Sequence, residues 1–325
     1  MKLRRWMQGI VIAALALVFT GLIYERVEEW QDNRRFPQLG RSIDIGGRSL
    51  NIYCSGEGSP SVIMDSGHAL PGYEWAAVQP GVAKLTRACW YDRAGFGWSD
   101  RADSLNTVDS MARDLHRLLG AAQISPPYVL VGHSLGGWNV RVFNGLYPGE
   151  VAGTVLVDAP SENTLDQIPN LARRKFPISL PRHALSLVVE GVGQTGVLRF
   201  GGSSPGPPPP GFTPEQWTLL SMLQRNPRAV AAEINEQGAG LQSVARVRAS
   251  GGLGDMPFIV LTAGQGPDIE EQRTMIQLQG EFAHRFAHGH QVLVPDSDHM
   301  IPYNAPQTIV EATRSVLAEI EAPSK

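Results

Sequence analysis

An uncharged, mostly apolar run at residues 10–24 opens the chain, preceded by Lys2, Arg4 and Arg5 and stopped by Glu25 and Arg26. It has no polar face, so it does not read as an amphipathic helix laid on a soluble core. Counted from Trp6, it reaches the shortest length able to span a bilayer, about 17 residues, whereas a secretion signal has roughly 7 to 15 apolar residues. The small residues Ala14 and Ala16 lie inside the run, and Leu22, Ile23 and Tyr24 at its end are bulky, a poor cleavage site. Residues 1–24 are therefore expected to form an uncleaved membrane anchor, with a cleaved signal segment as the alternative. Basic residues on the N-terminal side leave that end in the cytoplasm and export the remainder to a periplasmic or extracellular position.

After a charged stretch at 25–35, read with residues 36–40 as a juxtamembrane linker, short β-type runs alternate with helical ones. That alternation signals a largely parallel sheet covered by helices. Residues 41–45 and 48–54 read as strands joined by a Gly46-Gly47 hairpin turn. Strand-like 61–65, helical 73–85 and strand-like 88–92 follow, then a helix over 107–119 with Thr107 as N-cap. Residues 128–132 have the continuous apolar content of a strand buried on both faces; 135–147 is helical and 154–158 is another apolar strand. The pattern breaks over 160–255, where helical pieces are interrupted by a Pro/Gly tract at 203–211. It resumes with strands at 257–263 and 291–294 and helices at 269–286 and 305–320. One sheet domain, residues 41–159 and 256–321, is thus expected to carry a helical insertion, residues 160–255.

Composition narrows the function classes. With 325 residues, 42% apolar and 18% charged, the chain has ample material for a large core. A formal net charge of −3 and the lack of a clustered Lys/Arg face argue against a nucleic-acid partner.

The candidate chemistry begins where the strand at 128–132 runs into Gly132-His133-Ser134-Leu135-Gly136-Gly137 and then a helix. Gly-x-Ser-x-Gly between strand and helix is a nucleophile elbow, whose glycines permit a strained turn that lifts the serine hydroxyl above the sheet. A serine at its free pKa is a poor nucleophile and needs a base within reach. His299, in the loop after the last predicted strand, is the candidate. His284, His288 and His290 have a spacing that could put two metal ligands on one helix face, but no carboxylate or cysteine completes a set. Neither a metal nor a cofactor is expected. Trp75, Trp90, Trp98 and Trp138 read as core or pocket walls, with Trp138 and Asn139 bordering the pocket.

Taken together, these motifs make residues 40–320 resemble the α/β-hydrolase superfamily. Residues 91–99, Tyr-Asp-Arg-Ala-Gly-Phe-Gly-Trp-Ser, resemble its glycine-rich stretch after the fourth strand, and residues 297–306 resemble its histidine loop. The resemblance implies an α/β fold: an eight-stranded, mostly parallel sheet with helices on both faces, and a helical cap where the insertion lies. It implies oxyanion donors at the backbone N–H groups of Leu135 and His68, and acyl transfer through a Ser-His-Asp triad. It also implies a disulfide between Cys54 and Cys89, because the antiparallel second strand of this fold neighbours the fourth, and an oxidising compartment preserves such a bond.

Chain order leaves two places for the acid that orients His299. Asp158 ends the apolar run 155–158, and a carboxylate there needs a partner. After the seventh strand, Gly266 or Pro267 stands where an acid belongs and Asp268 comes late. Asp158 is favoured, with Asp268 and then Asp296 as alternatives. The resulting expectation is a serine hydrolase acting on a small-molecule carboxylic ester and attached to a membrane by its N-terminal helix. Alternatives are amide, thioester or lactone cleavage, a cofactor-free peroxidase-like activity, and a non-catalytic ligand-binding or signalling protein on the same fold.

Overall fold

Successive side chains of a strand point to opposite faces, and in the central strands of this chain both faces are buried. The computed structural model describes residues 2–168, 182–200 and 205–322. Residues 169–181 and 201–204 of the expected insertion, including the start of its Pro/Gly tract, lie outside the described residues. The strands are β1 (Arg41–Asp44), β2 (Ser49–Ser55), β3 (Ser61–Asp65), β4 (Ala88–Tyr91), β5 (Tyr128–His133), β6 (Val151–Val157), β7 (Phe258–Ala263) and β8 (Gly289–Val294). They form one eight-stranded sheet in the order β1-β2-β4-β3-β5-β6-β7-β8. β2 runs antiparallel to both of its neighbours, and the remaining pairs are parallel.

Tyr128 and Leu130 of β5 join a core on one face with Ile63, Leu115, Phe143 and Phe258. Val129 and Val131 join the opposite core with Met64, Val157, Leu261 and Ile309. Burying an aliphatic or aromatic side chain contributes about 1.5–3 kcal/mol, so a strand buried on both faces makes a stiff floor. The helix Val108–Ala121 presents Met111, Ala112, Leu115, Leu118 and Leu119 to the first core at three- and four-residue spacing. Its N-cap is Thr107, which accepts from the Ser110 N–H. The helix Pro306–Glu321 presents Ile309, Val310, Val316 and Leu317 to the second core.

Several elements depart from the expected bounds. The helical stretch at 73–85 is two short pieces, Gly72–Ala77 and Gln79–Val82, because Pro80 has no N–H to continue the first. β6 starts at Val151 rather than at 154, paired past a register shift at Tyr128/Val129. Gly153 lies at that shift, and a Cβ there would come within 2.4 Å of Val316. β8 starts at Gly289, two positions before its apolar pattern begins, because the Phe258–Gly289 pairing extends it. The expected linker is helical for most of its length: one helix, Lys2–Arg35, runs through the apolar segment and the charged stretch. Arg26 and Glu29 pair along it at 2.9 Å, and Arg199 binds Glu25 and Asp32 from outside it.

Between β6 and β7 the described helices include Arg182–Gly193, Pro214–Arg225 and Pro227–Ala249. Pro227–Ala249 lies closest to the sheet, since Val244 and Val247 enter the first core.

Cys54 and Cys89 face each other across the antiparallel β2–β4 pair and form a disulfide that closes a 35-residue separation. In the chain-entropy view a loop of this size stabilises the fold by about 3–4 kcal/mol. Paired Cys54→Ala and Cys89→Ala substitutions should lower the unfolding free energy by that amount in denaturant titration, and alkylation of unreduced, denatured protein should modify neither cysteine.

Candidate active site

Strand order reverses between β3 and β5, and at such a point the carboxyl ends of neighbouring strands open a crevice. Ser134 follows β5 there, at φ +51° and ψ −114°, a backbone region that a residue with a side chain rarely adopts. Such a conformation costs about 1–3 kcal/mol, so its surroundings must impose it. The Ser134 N–H donates to Val157 O at 3.0 Å and the Ser134 carbonyl accepts from Gly137 N–H at 3.0 Å. The glycines make room: a Cβ on Gly132 would lie 2.5 Å from the Gly136 carbonyl oxygen, and one on Gly136 would lie 2.3 Å from the Asp65 oxygen. Leu135 begins the helix Leu135–Leu146. Its N–H belongs to the first turn, where no intrahelical acceptor exists.

Ser134 Oγ–H donates to His299 Nε2 at 3.0 Å, and His299 Nδ1–H donates to Asp158 Oδ2 at 2.7 Å. The other Asp158 oxygen accepts from Ala263 N–H and Gln279 Nε2, both at 3.1 Å. Burial alone would raise the Asp158 pKa, but hydrogen bonding and charge from His299, then the Gln279 and Ala263 donors, outweigh it and hold the carboxyl below its ordinary value. Asp158 also has positive φ, +41°, so two of the three groups sit on strained backbone. The His299 side chain is 44% exposed, which leaves its outer edge open to solvent.

Beneath this chain lies a second, fully buried pair. His133, the first variable residue of the elbow motif, donates from Nε2 to the His299 carbonyl at 2.9 Å, while its Nδ1 lies 2.5 Å from Glu74 Oε1. The other Glu74 oxygen accepts from Gly67 N–H at 2.8 Å. Burial lowers the His133 pKa, but the charge and hydrogen bond of Glu74 and the His299 carbonyl more than reverse this, so the imidazole is held above its ordinary value. The pair ties the His299 loop and the loop after β3 to the strand that leads to Ser134.

The loop after β3 is held from its other side by Arg93, which donates to Asp65, to the carbonyls of Ser66 and Gly67, and through Nε to Glu236 Oε1 at 2.8 Å. Glu236, on the helix Pro227–Ala249, accepts from Ala69 N–H at 3.0 Å. His68 lies within this clamped segment. An arginine buried with two carboxylates is tolerated only because nearly every donor has an acceptor.

Of the acids weighed from the sequence, Asp158 is the one that reaches His299. Asp268 caps the helix Ile269–His284, accepting from Glu270 and Glu271 N–H, and Asp296 is exposed. Asn139 does not border a pocket: it is buried and donates to Asp65 and Tyr91. Trp138 is buried as well, its Nε1–H directed to the Pro160 carbonyl at 2.7 Å. His288 meets Glu319 at 2.8 Å, and His290 lies on β8. Sequence reasoning missed Glu74, His133 and Glu236. His133 had a signal, its place inside the elbow; the two glutamates are brought in by tertiary packing. A cavity of about 370 Å3 beside the N-terminal helix is lined by Asp32, Trp98, Arg199 and Arg228, without Ser134 or His299.

A doubly covered, mostly parallel sheet with a serine elbow after its fifth strand defines an α/β-hydrolase fold. The chain belongs to the alpha/beta hydrolase family, whose model matches residues 62–312. It is 26% identical over 153 residues to the uncharacterized protein YbdG of Bacillus subtilis, covering 46% of this chain and 47% of that one. Among solved structures, the epoxide hydrolase CorEH superposes with TM-score 0.64 at 17% identity, covering 86% of this chain and 99% of that one. An esterase from Thermogutta terrifontis gives TM-score 0.59 at 21% identity, covering 88% and 100%. The chain spans less than half the length of the first curated relatives that it matches.

The His133–Glu74 pair gives a pH signature. A raised histidine pKa contributes stability that is fully present below the unfolded value of 6.5 and is lost as pH rises through the native value. Buried Asp92, pushed up to about 6, titrates mainly below that window. The unfolding midpoint of the wild type should therefore fall as pH rises above the unfolded histidine value, and Glu74→Gln should flatten that fall. Parallel curves for the two proteins would show that the pair is not coupled to folding.

Proposed function

We propose that the protein is a membrane-anchored serine hydrolase that cleaves carboxylic esters through Ser134, His299 and Asp158. The observation that carries the reading is the continuous hydrogen-bonded chain from Ser134 Oγ through His299 to Asp158, at 3.0 and 2.7 Å, on a strained elbow. His299 takes the Ser134 proton as Oγ attacks the carbonyl carbon, then delivers it to the leaving alkoxide. The N–H of Leu135, with that of His68, receives the developing oxyanion, a contribution worth on the order of 100-fold or more per donor. Water activated by the same imidazole releases the acid, and the reaction needs no cofactor.

Asp158 keeps the imidazole in the tautomer whose Nε2 can accept from serine. Its conversion to Asn keeps the oxygen that Ala263 N–H and Gln279 hold but turns an amide N–H₂ toward His299, which imposes the wrong tautomer and lowers kcat by on the order of 10⁴. A fluorophosphonate probe should label the wild type and not Ser134→Ala, and p-nitrophenyl esters should be turned over by the wild type, much more slowly by Asp158→Asn and almost normally by Asp268→Asn. An unlabelled, inactive wild type would favour the second reading, a ligand-binding protein on the same fold.

Anchoring rests on the helix Lys2–Arg35, whose apolar part is long enough to cross a membrane and is exposed over most of its length, Trp6 being 71% exposed. The disulfide Cys54–Cys89 supports export of the sheet domain. Salt-washed membranes from expressing cells should retain the full-length chain; full-length protein in the cytosol would remove the anchor, and a trimmed soluble form would make the segment a signal.

A further inference from the structure

The helix Arg182–Gly193 is amphipathic in the wrong direction for a soluble protein. Its inward stripe is polar: Arg182 donates to Gln237 at 2.9 Å, Ser186 donates to Asn235 at 3.1 Å, and Glu190 meets Arg101 at 3.7 Å. His183 Nδ1 lies 3.4 Å from the same Asn235 oxygen. The outward face is Ala184, Leu185, Leu187, Val188, Gly191 and Val192, all exposed and uncharged, with Val188 61% exposed. These positions repeat at three and four residues, so they form one continuous stripe. A helix in water normally turns the other way.

The neighbour of this stripe identifies what meets it. The segment that follows the helix touches the N-terminal helix where the apolar run ends: a Cβ on Gly21 would lie 2.4 Å from the Thr195 carbonyl oxygen, and one on Gly196 would lie 2.8 Å from the Tyr24 ring. Arg199 then closes on Glu25 and Asp32 at 2.7 and 2.8 Å. The apolar run from Trp6 to Tyr24 rises about 28 Å at 1.5 Å per residue, the thickness of a hydrocarbon core. Gly21 and Tyr24 therefore mark the level at which the anchor leaves the bilayer. The helix Arg182–Gly193 ends two residues before Thr195, with Val197, also exposed, just beyond it.

We propose that the helix Arg182–Gly193 is a second membrane contact, lying in the lipid headgroup and upper acyl region with Leu185, Val188 and Val192 turned into the bilayer. The inference rests on the anchoring reading above and adds to it. Contact at both the anchor and this helix fixes the tilt of the catalytic domain, so that the inserted segment, rather than the sheet, faces the lipid. A helix with a polar face held by protein and an apolar face in the interface satisfies both of its surroundings, whereas exposure of the same face to water leaves its apolar area unburied.

The test uses the full chain in vesicles of phosphatidylcholine and phosphatidylglycerol, labelled at one introduced cysteine with an environment-sensitive nitrobenzoxadiazole dye. The native cysteines are disulfide-bonded and do not react. Ile12→Cys reports the anchor, Val188→Cys the proposed contact, and Arg273→Cys an exposed charged surface away from it. Shallow nitroxide lipids should quench the emission at 188 more strongly than deep ones, as a helix buried about 5–10 Å into the interface requires, while Ile12 is quenched by deep nitroxides and 273 by neither. Quenching at 12 without quenching at 188 would overturn the second contact and leave the anchor in place. Absence of quenching at both would remove the anchoring reading along with it. Blue-shifted emission at 188 that nitroxide lipids do not touch, accompanied by a dimer in cross-linking, would overturn the proposal in favour of a second copy of the chain.

Discussion

Ser134 can hold a left-handed backbone only because strand β5, the helix after it and the loop after β3 approach one another to backbone contact at Gly132 and Gly136. Any side chain at either glycine would push these elements apart by more than soft packing absorbs. The strain at Ser134, about 1–3 kcal/mol, is small beside the apolar burial on both faces of β5 that opposes its relaxation. Everything else in the candidate site is referred to that fixed point. His299 and Asp158 are useful only at the distances that the elbow sets.

Two buried charge clusters surround the elbow, and they contribute geometry more than stability. Glu74 and His133 join the β3 loop, the elbow strand and the His299 loop; Arg93 joins the β3 loop to Glu236 on an inserted helix. Desolvating such groups is costly, and apolar replacements of equal volume often match them in stability. What apolar side chains cannot do is set loop carbonyls and N–H groups to within tenths of an ångström. Polar burial here is concentrated around the carboxyl edge of the sheet, where proposed donors and acceptors must be preorganised before substrate arrives.

The inserted segment answers to two constraints at once. Glu236 couples it to the loop that bears His68, and Thr195 to Arg199 couple it to the N-terminal helix. A connection through these contacts makes the orientation of the proposed anchor relevant to the candidate site. The inverted helix Arg182–Gly193 lies between the two couplings, and its polar face against Pro227–Ala249 explains why it can turn an apolar face outward without loosening the fold.

How much of this was legible beforehand differs by residue. The alternation of apolar runs with helical stretches was enough for the sheet, because a continuous apolar run as short as residues 128–132, followed at once by a glycine turn, fits a strand buried on both faces. The elbow was legible because Gly132, Ser134 and Gly136 are contiguous in the chain and their backbone requirement is local. Asp158 was preferred to Asp268 for its place at the end of an apolar strand, and the structure adds that Asp268 is occupied capping a helix. Bounds that depend on pairing, such as the starts of β6 and β8, needed the neighbouring strand. Glu74 and Glu236 carried no sequence signal: an isolated glutamate reads as solvated until another element buries it. The outward turn of Leu185, Val188 and Val192 was equally hidden, since a periodic stripe shows that a helix has two faces, and only packing decides which of them meets the protein.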